Sequence, residues 1–350
     1  MEWAKPEYSK SRVDKAGSKI VEADPHDLSG YLKALEVVNN WRSSHNYPLN
    51  TFKVTLRRKA RDVDSGCLVA QRIKRLSSIE HKLSRFKSMK LSQMQDFGGC
   101  RAIVNNVSQV QELVRKYEKS DLKHELDDKD DYILNPKRSG YRSVHLIYKY
   151  FSDKKKPSVY NGLYIELQIR TRLQHAWATA VETVGTMREE ALKSSQGESK
   201  WLRFFQLMGS VIALKEKSKI LVPDTPTNQT ELIKELRKIT GELNVANTLK
   251  MYGDALNIGE QAEKRGNHYF LLKLEPSEQR MTVTGFKRKQ LDEASEQYLN
   301  AEREIADIPG AEAVLVSVDS LSSLRKAYPN YFLDTNVFLN VLKEALKRKS

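Results

Sequence analysis

Cysteine is nearly absent: Cys67 and Cys100 are the only two in 350 residues, and neither belongs to a C-x-x-C pair. A disulfide framework is excluded, and a reducing compartment fits best. Long apolar runs are missing as well. No stretch approaches the ~18 residues of a membrane span, and the opening MEWAKPEYSK lacks the apolar centre of a signal peptide, so a cytoplasmic location is expected. There is no repeat of fixed period and no low-complexity tract. The familiar nucleotide signatures are also lacking. Without a G-x-x-x-x-G-K-[ST] loop or an H-R-D motif, any ATP site must be built without a P-loop or a kinase fold.

What the chain does contain is positive charge. Lys and Arg number 59 against 45 Asp and Glu, a formal net charge of +14, and such a field favours anionic partners such as nucleotides, RNA or an acidic protein. The excess is densest from Lys53 to Lys90. With 39% hydrophobic residues the chain can bury a real core, and its length suggests two domains or three.

Periodicity divides the chain. Residues 1–55 read as a helical segment, where Leu32, Leu35 and Val38 form a stripe beside Tyr31 and Trp41. In residues 56–221, CLVAQRIKRL alternates like a strand, and SSIEHKLSRF reads as a helix opened by a Ser77–Glu80 capping box, with Ile79, Leu83 and Phe86 on one face. CRAIVNNV, SVHLIYKYF and GLYIELQIRT read as further strands and DDKDD as an exposed acidic loop. Two prolines mark VPDTPTNQT, residues 222–230, as a linker. Residues 231–350 then mix helices with three strand candidates.

Chemistry concentrates in four places. In GLYIELQIRT, alternation puts Leu163, Ile165, Leu167 and Ile169 into a core and aligns Tyr164, Glu166, Gln168 and Arg170 on the other face. Asp96, just before a strand, is a second carboxylate; two carboxylates on neighbouring strands can hold Mg2+, which prefers hard oxygens and substrate phosphates. Arg72, Lys74 and Lys82 flank a helix start, where free N–H groups and added cations suit phosphate. YILNPKRSGYRSVH packs three cations, two serines, two tyrosines and a histidine into one anion-seeking stretch.

RIKRLSSIEHK, DFGGCR, YILNPKRSGYRSVH and ELQIRT occur in the order seen in RelA/SpoT alarmone synthetases, which the region from about 55 to 220 resembles. The resemblance implies an α+β fold, a mixed β-sheet flanked by helices of the nucleotidyltransferase-like kind, with a smaller carboxy-terminal α+β domain. It also implies an enzyme that moves the β,γ-pyrophosphate of ATP to a ribose 3'-hydroxyl and leaves AMP. On it, Arg72 and Arg101 clamp the adenine, Lys74, Ser78 and Lys82 contact the ATP phosphates, and Asp96 and Glu166 hold Mg2+, with Glu166 also taking the acceptor's proton. Tyr141 stacks on the acceptor base, and Lys137, His145, Gln168 and Arg170 line the acceptor. His175 and Trp177 are read mainly as helix packing.

Ser139 stands where the family generally has asparagine, and Arg142 adds a cation beside Tyr141. Both point away from a free guanine nucleotide and, with the net charge, toward the tRNA 3' end used by toxic small alarmone synthetases. GDP or GTP as acceptor, and a non-catalytic nucleotide- or RNA-binding module, are the alternatives. With seven histidines and little sequence ahead of residue 55, no hydrolase domain is expected. Residues 231–350 resemble the restraining domain of fused toxin–antitoxin synthetases of the CapRel type, for which a phage protein is the expected trigger.

Overall fold

The computed structural model describes residues 3–22, 27–187, 199–243, 269–275, 280–305, 312–317 and 336–347, together with positions 245, 246, 249, 307 and 308. Three helices come first: α1 (Lys10–Val21), α2 (Leu28–Ser44) and α3 (Asn46–Val63). Asp27 caps α2, accepting from the Gly30 N–H at 2.8 Å. Leu35, Val38 and Trp41 of the expected stripe are buried, while Leu32 stays exposed. Leu49, Phe52, Leu56 and Ala60 fall on one side of α3 and are buried against the sheet.

Next come β1 (Leu68–Ile73), α4 (Leu76–Arg85), β2 (Gly98–Val104), α5 (Val107–Glu118), β3 (Glu125–Asp131), β4 (Val144–Lys149), β5 (Tyr164–Thr171), α6 (Arg172–Met187) and α7 (Ser199–Lys215). Two expectations are corrected here. The acidic DDKDD is strand rather than loop, pairing antiparallel with β4 through its backbone. It is the edge strand of the sheet, where charged side chains on both faces are tolerated and discourage edge pairing. The Ser77–Glu80 capping box does not form: α4 begins at Leu76, its N-cap is Arg75, and the Arg75 side chain makes no cap hydrogen bond. Phe86 lies past the end of α4 and is exposed, whereas Ile79 and Leu83 are buried.

The carboxy-terminal part contributes α8 (Gln229–Glu242), β6 (Tyr269–Glu275), β7 (Arg280–Phe286), α9 (Leu291–Glu304), β8 (Glu312–Ser317) and α10 (Asn336–Lys347). The expected helix from Asn244 to Lys264 falls largely outside the described residues. Among the described residues eight strands form one mixed sheet, ordered β3-β4-β5-β2-β1-β8-β6-β7. Of its described pairings β2 with β5 is the parallel one; β8 joins β1 through the backbone pair Arg72↔Val316. Helices α8 and α10 pack on α6 and α7, burying Leu232, Leu236, Phe338 and Leu342 with Trp201, Phe204 and Phe205. The residues read as a linker also pack: Val222 is buried and its N–H donates to Ser210 Oγ at 2.9 Å.

Candidate active site

The site lies on the sheet face opposite α3. Side chains on a strand alternate between faces, and the pairing places Arg72 beside Gly99, Gly99 beside Glu166, Arg101 beside Gln168, and Gln168 beside His145. Five polar side chains from four neighbouring strands thus share one surface, while Ile165, Leu167 and Ile169 fill the core behind it. Arg72 and Arg101 are diagonal neighbours, a separation of roughly 7–8 Å. A flat ring in van der Waals contact at ~3.5 Å on each side fits such a gap.

At the β1 end, one carboxylate organises two ammonium groups. Lys74 Nζ donates to Asp96 Oδ2 at 2.7 Å and Lys82 Nζ to Asp96 Oδ1 at 3.0 Å. Burial alone would push the Asp96 carboxyl up, but the two lysines outweigh it and hold it well below the usual range. Burial lowers Lys74, with Asp96 opposing. Lys82 projects from α4, whose first turn also carries Ser78, its hydroxyl accepting from Arg75 Nε at 3.4 Å. Lys74 and Lys82, expected with Ser78 beside a helix start, meet Asp96 here near the amino terminus of α4.

At the β4–β5 end, Glu166 is held from both sides: His145 Nδ1 lies 2.9 Å from Oε1, and Gln168 Nε2 donates to Oε2 at 2.7 Å. His145 Nε2 is 2.8 Å from the Tyr141 hydroxyl. Burial opposes the imidazolium, yet Tyr141 and Glu166 together raise His145 to about 10. Burial pushes Glu166 up, but His145 and Gln168 outweigh it, while Asp96 works against ionisation, and the net shift is downward. Glu166 is therefore an ionised acceptor at neutral pH.

Tyr141 owes its place to a tight turn. Gly140 has φ +98° and packs so closely on α7 that an added Cβ would lie 2.7 Å from the Phe205 carbonyl oxygen. Trp177 Nε1 donates to that same carbonyl at 2.8 Å, which gives the QHAWA helix its role in the site. Lys137 Nζ stands 4.1 Å above the Tyr132 ring and 5.6 Å above Tyr141, so this wall presents a cation and two aromatic rings.

Two of the expected acceptor contacts are placed differently. Arg142 is buried, donating to the carbonyls of Ile220 at 2.9 Å and Ile133 at 2.8 Å and to Ser218 Oγ at 3.2 Å. It braces the wall from behind instead of facing the acceptor, because a guanidinium with five donors satisfies several buried carbonyls at once. Arg170 is likewise buried, donates to His175 Nδ1 and lies against Tyr141. His175, read as packing, thus backs the site. Sequence reading also missed Gly99, which leaves the face open beside Glu166: a Cβ there would come to 3.9 Å from Oε2.

Among the described residues no group of three or more His, Cys, Asp or Glu could cage a metal. Mg2+ needs no cage, since it keeps several waters and shares substrate phosphates through one or two carboxylates. The charge of Asp96 is felt at Glu166, and as hard oxygen donors the two carboxylates fit that demand.

Residues 71–185 match a family model described as a region found in RelA/SpoT proteins. A curated relative, the GTP pyrophosphokinase YjbM of Bacillus subtilis, is 35% identical over 114 residues, 32% of this chain and 52% of its own length. The chain spans about half the length of that relative. Among solved structures, small alarmone synthetase 2 of B. subtilis is 18% identical with a TM-score of 0.42, covering 51% of this chain and 93% of that one. Small alarmone synthetase 1 of B. subtilis, bound to its product pppGpp, is 24% identical with a TM-score of 0.43, covering 49% and 89%.

Proposed function

The chain carries a RelA/SpoT region, and from that premise we propose that it is an ATP pyrophosphokinase: a ribose 3'-hydroxyl attacks the β-phosphorus of ATP, the bond to the α-phosphate oxygen breaks, and AMP leaves. The observation that carries this reading is the pair of ionised carboxylates, Asp96 held by Lys74 and Lys82 just ahead of β2, and Glu166 held by His145 and Gln168 on the neighbouring β5. Phosphoryl-type transfer asks mainly for alignment and charge neutralisation. Lys74, Lys82 and the first turn of α4 take the triphosphate, and the guanidiniums of Arg72 and Arg101 take the adenine. Asp96 and Glu166 would hold Mg2+, which when bound supplies charge neutralisation at the phosphates. The acceptor base stacks on Tyr141, worth ~1–3 kcal/mol, with Lys137 beside its phosphates. Glu166 accepts the proton of the attacking hydroxyl.

A free guanine nucleotide is the acceptor this reading favours, since the buried Arg142 adds no cation to the acceptor wall and the 35% identical relative is a GTP pyrophosphokinase. The net charge of +14 supports a second reading, in which the acceptor is a tRNA 3' end and the chain is a toxin in phage defence, restrained by residues 231–350 and released by a phage protein. Both readings require ATP and hence a cytoplasmic setting; among the described residues no helix is long and apolar enough to cross a membrane. ATP labelled at the γ-phosphate separates them. Label on GDP or GTP supports the first reading and label only on deacylated tRNA supports the second; no transfer from the full chain sinks the first, and no transfer from a chain cut after residue 226 sinks the second as well.

A further inference from the structure

A buried ion pair links α9 to the amino-terminal helices at the start of α4. Glu302, on α9, reaches across some 226 residues of chain: its Oε1 accepts from the Leu76 N–H at 3.1 Å. Its Oε2 is 3.1 Å from Arg42 Nη1, and the two side chains are only 10% and 3% exposed. Arg42 is fixed from α2, its Nε donating to the Lys74 carbonyl at 3.1 Å and its Nη1 to Asn39 Oδ1 at 2.8 Å. The Tyr298 hydroxyl, one turn before Glu302 on α9, donates to Oε1 at 2.5 Å and accepts from Arg42 Nη2. A carboxylate therefore fills an anion seat made of a guanidinium and a free first-turn N–H, the two donor types that receive phosphate at helix amino termini. The seat adjoins Lys74 and lies on the helix that carries Ser78 and Lys82.

We propose that this seat, Arg42 with the Leu76 N–H, is a further binding site for a phosphate of the donor nucleotide, and that α9 closes it by lending the Glu302 carboxylate as an internal competitor. The proposal rests on the pyrophosphokinase reading, because it assigns the seat to ATP. It accounts for features that reading leaves idle. Arg42 belongs to none of the recognised motifs, yet it is buried at the head of the phosphate helix. The negative charge of Glu302 is also felt along α4, where burial and then Glu302 raise Glu80 to about 7. Opening the seat requires that α9 withdraw the Glu302 carboxylate and the Tyr298 hydroxyl, so an event that moves residues 291–304 is converted into access for ATP.

The test uses the full-length protein and the α,β-methylene analogue of ATP, which blocks the bond that the reaction breaks, with Mg2+, followed by calorimetry. Glu302→Gln keeps the shape and removes the charge, and affinity is expected to rise about tenfold, the step worth 1.4 kcal/mol. Tyr298→Phe, which removes only the hydroxyl steadying Glu302, is expected to raise affinity in the same direction by less, and it serves if Glu302→Gln folds poorly. Arg42→Gln combined with Glu302→Gln leaves no lone buried charge and is expected to lose most of the gain, because Arg42 is then absent from the phosphate. Unchanged or weaker binding by both Glu302→Gln and Tyr298→Phe overturns the internal competitor while leaving the donor site standing. No binding by wild type and variants alike overturns the donor-site reading and the competitor with it.

Discussion

Glu80 shows how closely charge is balanced at the start of α4. Its carboxyl faces Glu302 of α9, with Arg42 and Tyr31 of α2 as its compensating neighbours, and burial and then Glu302 raise it from 4.5 to about 7. Between those values the folded chain holds a proton that the unfolded chain has released, so stability falls as pH rises through the window and the penalty persists above pH 7. Glu80→Gln is accordingly expected to raise the melting temperature at pH 8 and to leave it unchanged near pH 4.5; an equal effect at both values would contradict the origin of the shift. At this scale the sequence named residue types well and directions poorly. Asp96, Glu166, Gln168 and His145 were legible because strand alternation and motif order constrain them. Arg142 was not, because no periodicity in Ser-Gly-Tyr-Arg-Ser says which way a side chain leaves an irregular loop. The clasp of Arg42 with Tyr298 and Glu302 carries no local signal at all, since its partners lie 256 and 260 positions apart.

Elements were readable where one face is buried. β1 and β5 emerged from alternation, and α2 and α4 from helical stripes, because burial on one side leaves that imprint. β3 did not, since an edge strand with charged residues along both faces presents no apolar period and is held by its backbone pairing with β4. The start of α4 was misjudged for a related reason: Ser77 and Glu80 have the spacing of a cap, but the chain turns helical before them, which leaves first-turn N–H groups for other partners. The turn at Gly140 is the element on which the acceptor wall depends. Its positive φ and the carbonyl of Phe205 beside it exclude a side chain. Gly140→Ala is expected to cost about 1–3 kcal/mol of stability, read as a lower melting temperature, and to raise KM for the acceptor more than KM for ATP. Equal changes in both constants would argue against a turn dedicated to the acceptor.

Across the whole molecule, the sequence suggested two units joined by a linker, and the sheet runs continuously from β3 to β7 across that expected boundary. Linker composition could not reveal this, because strand pairing between β1 and β8 involves residues more than 240 positions apart. The helices beyond residue 221 share a core with α6 and α7, where Phe338 and Leu232 pack with Trp201, Phe204 and Phe205. Truncation after residue 221 is therefore expected to lower the melting temperature and to increase binding of a hydrophobic dye; an unchanged melting temperature would show that residues 56–221 are self-sufficient. The basic excess from Lys53 to Lys90, conspicuous as a run in the sequence, is dispersed in the fold: Lys53 is buried, Lys59 donates to the Lys116 carbonyl and Ser120, and Lys74 and Lys82 converge on Asp96.

The central claim is that Asp96 and Glu166 serve one transfer that splits ATP between its α- and β-phosphates. Its most direct measurement is the nucleotide left behind when the protein, ATP, Mg2+ and GDP or GTP are incubated together, for the wild type and for Asp96→Asn and Glu166→Gln. The account predicts AMP in equal amount to labelled acceptor from the wild type, with at least a hundredfold loss in each variant, the lower range for removing a catalytic acid–base group. ADP with inorganic phosphate in place of AMP, or AMP formation undiminished in either variant, would contradict it.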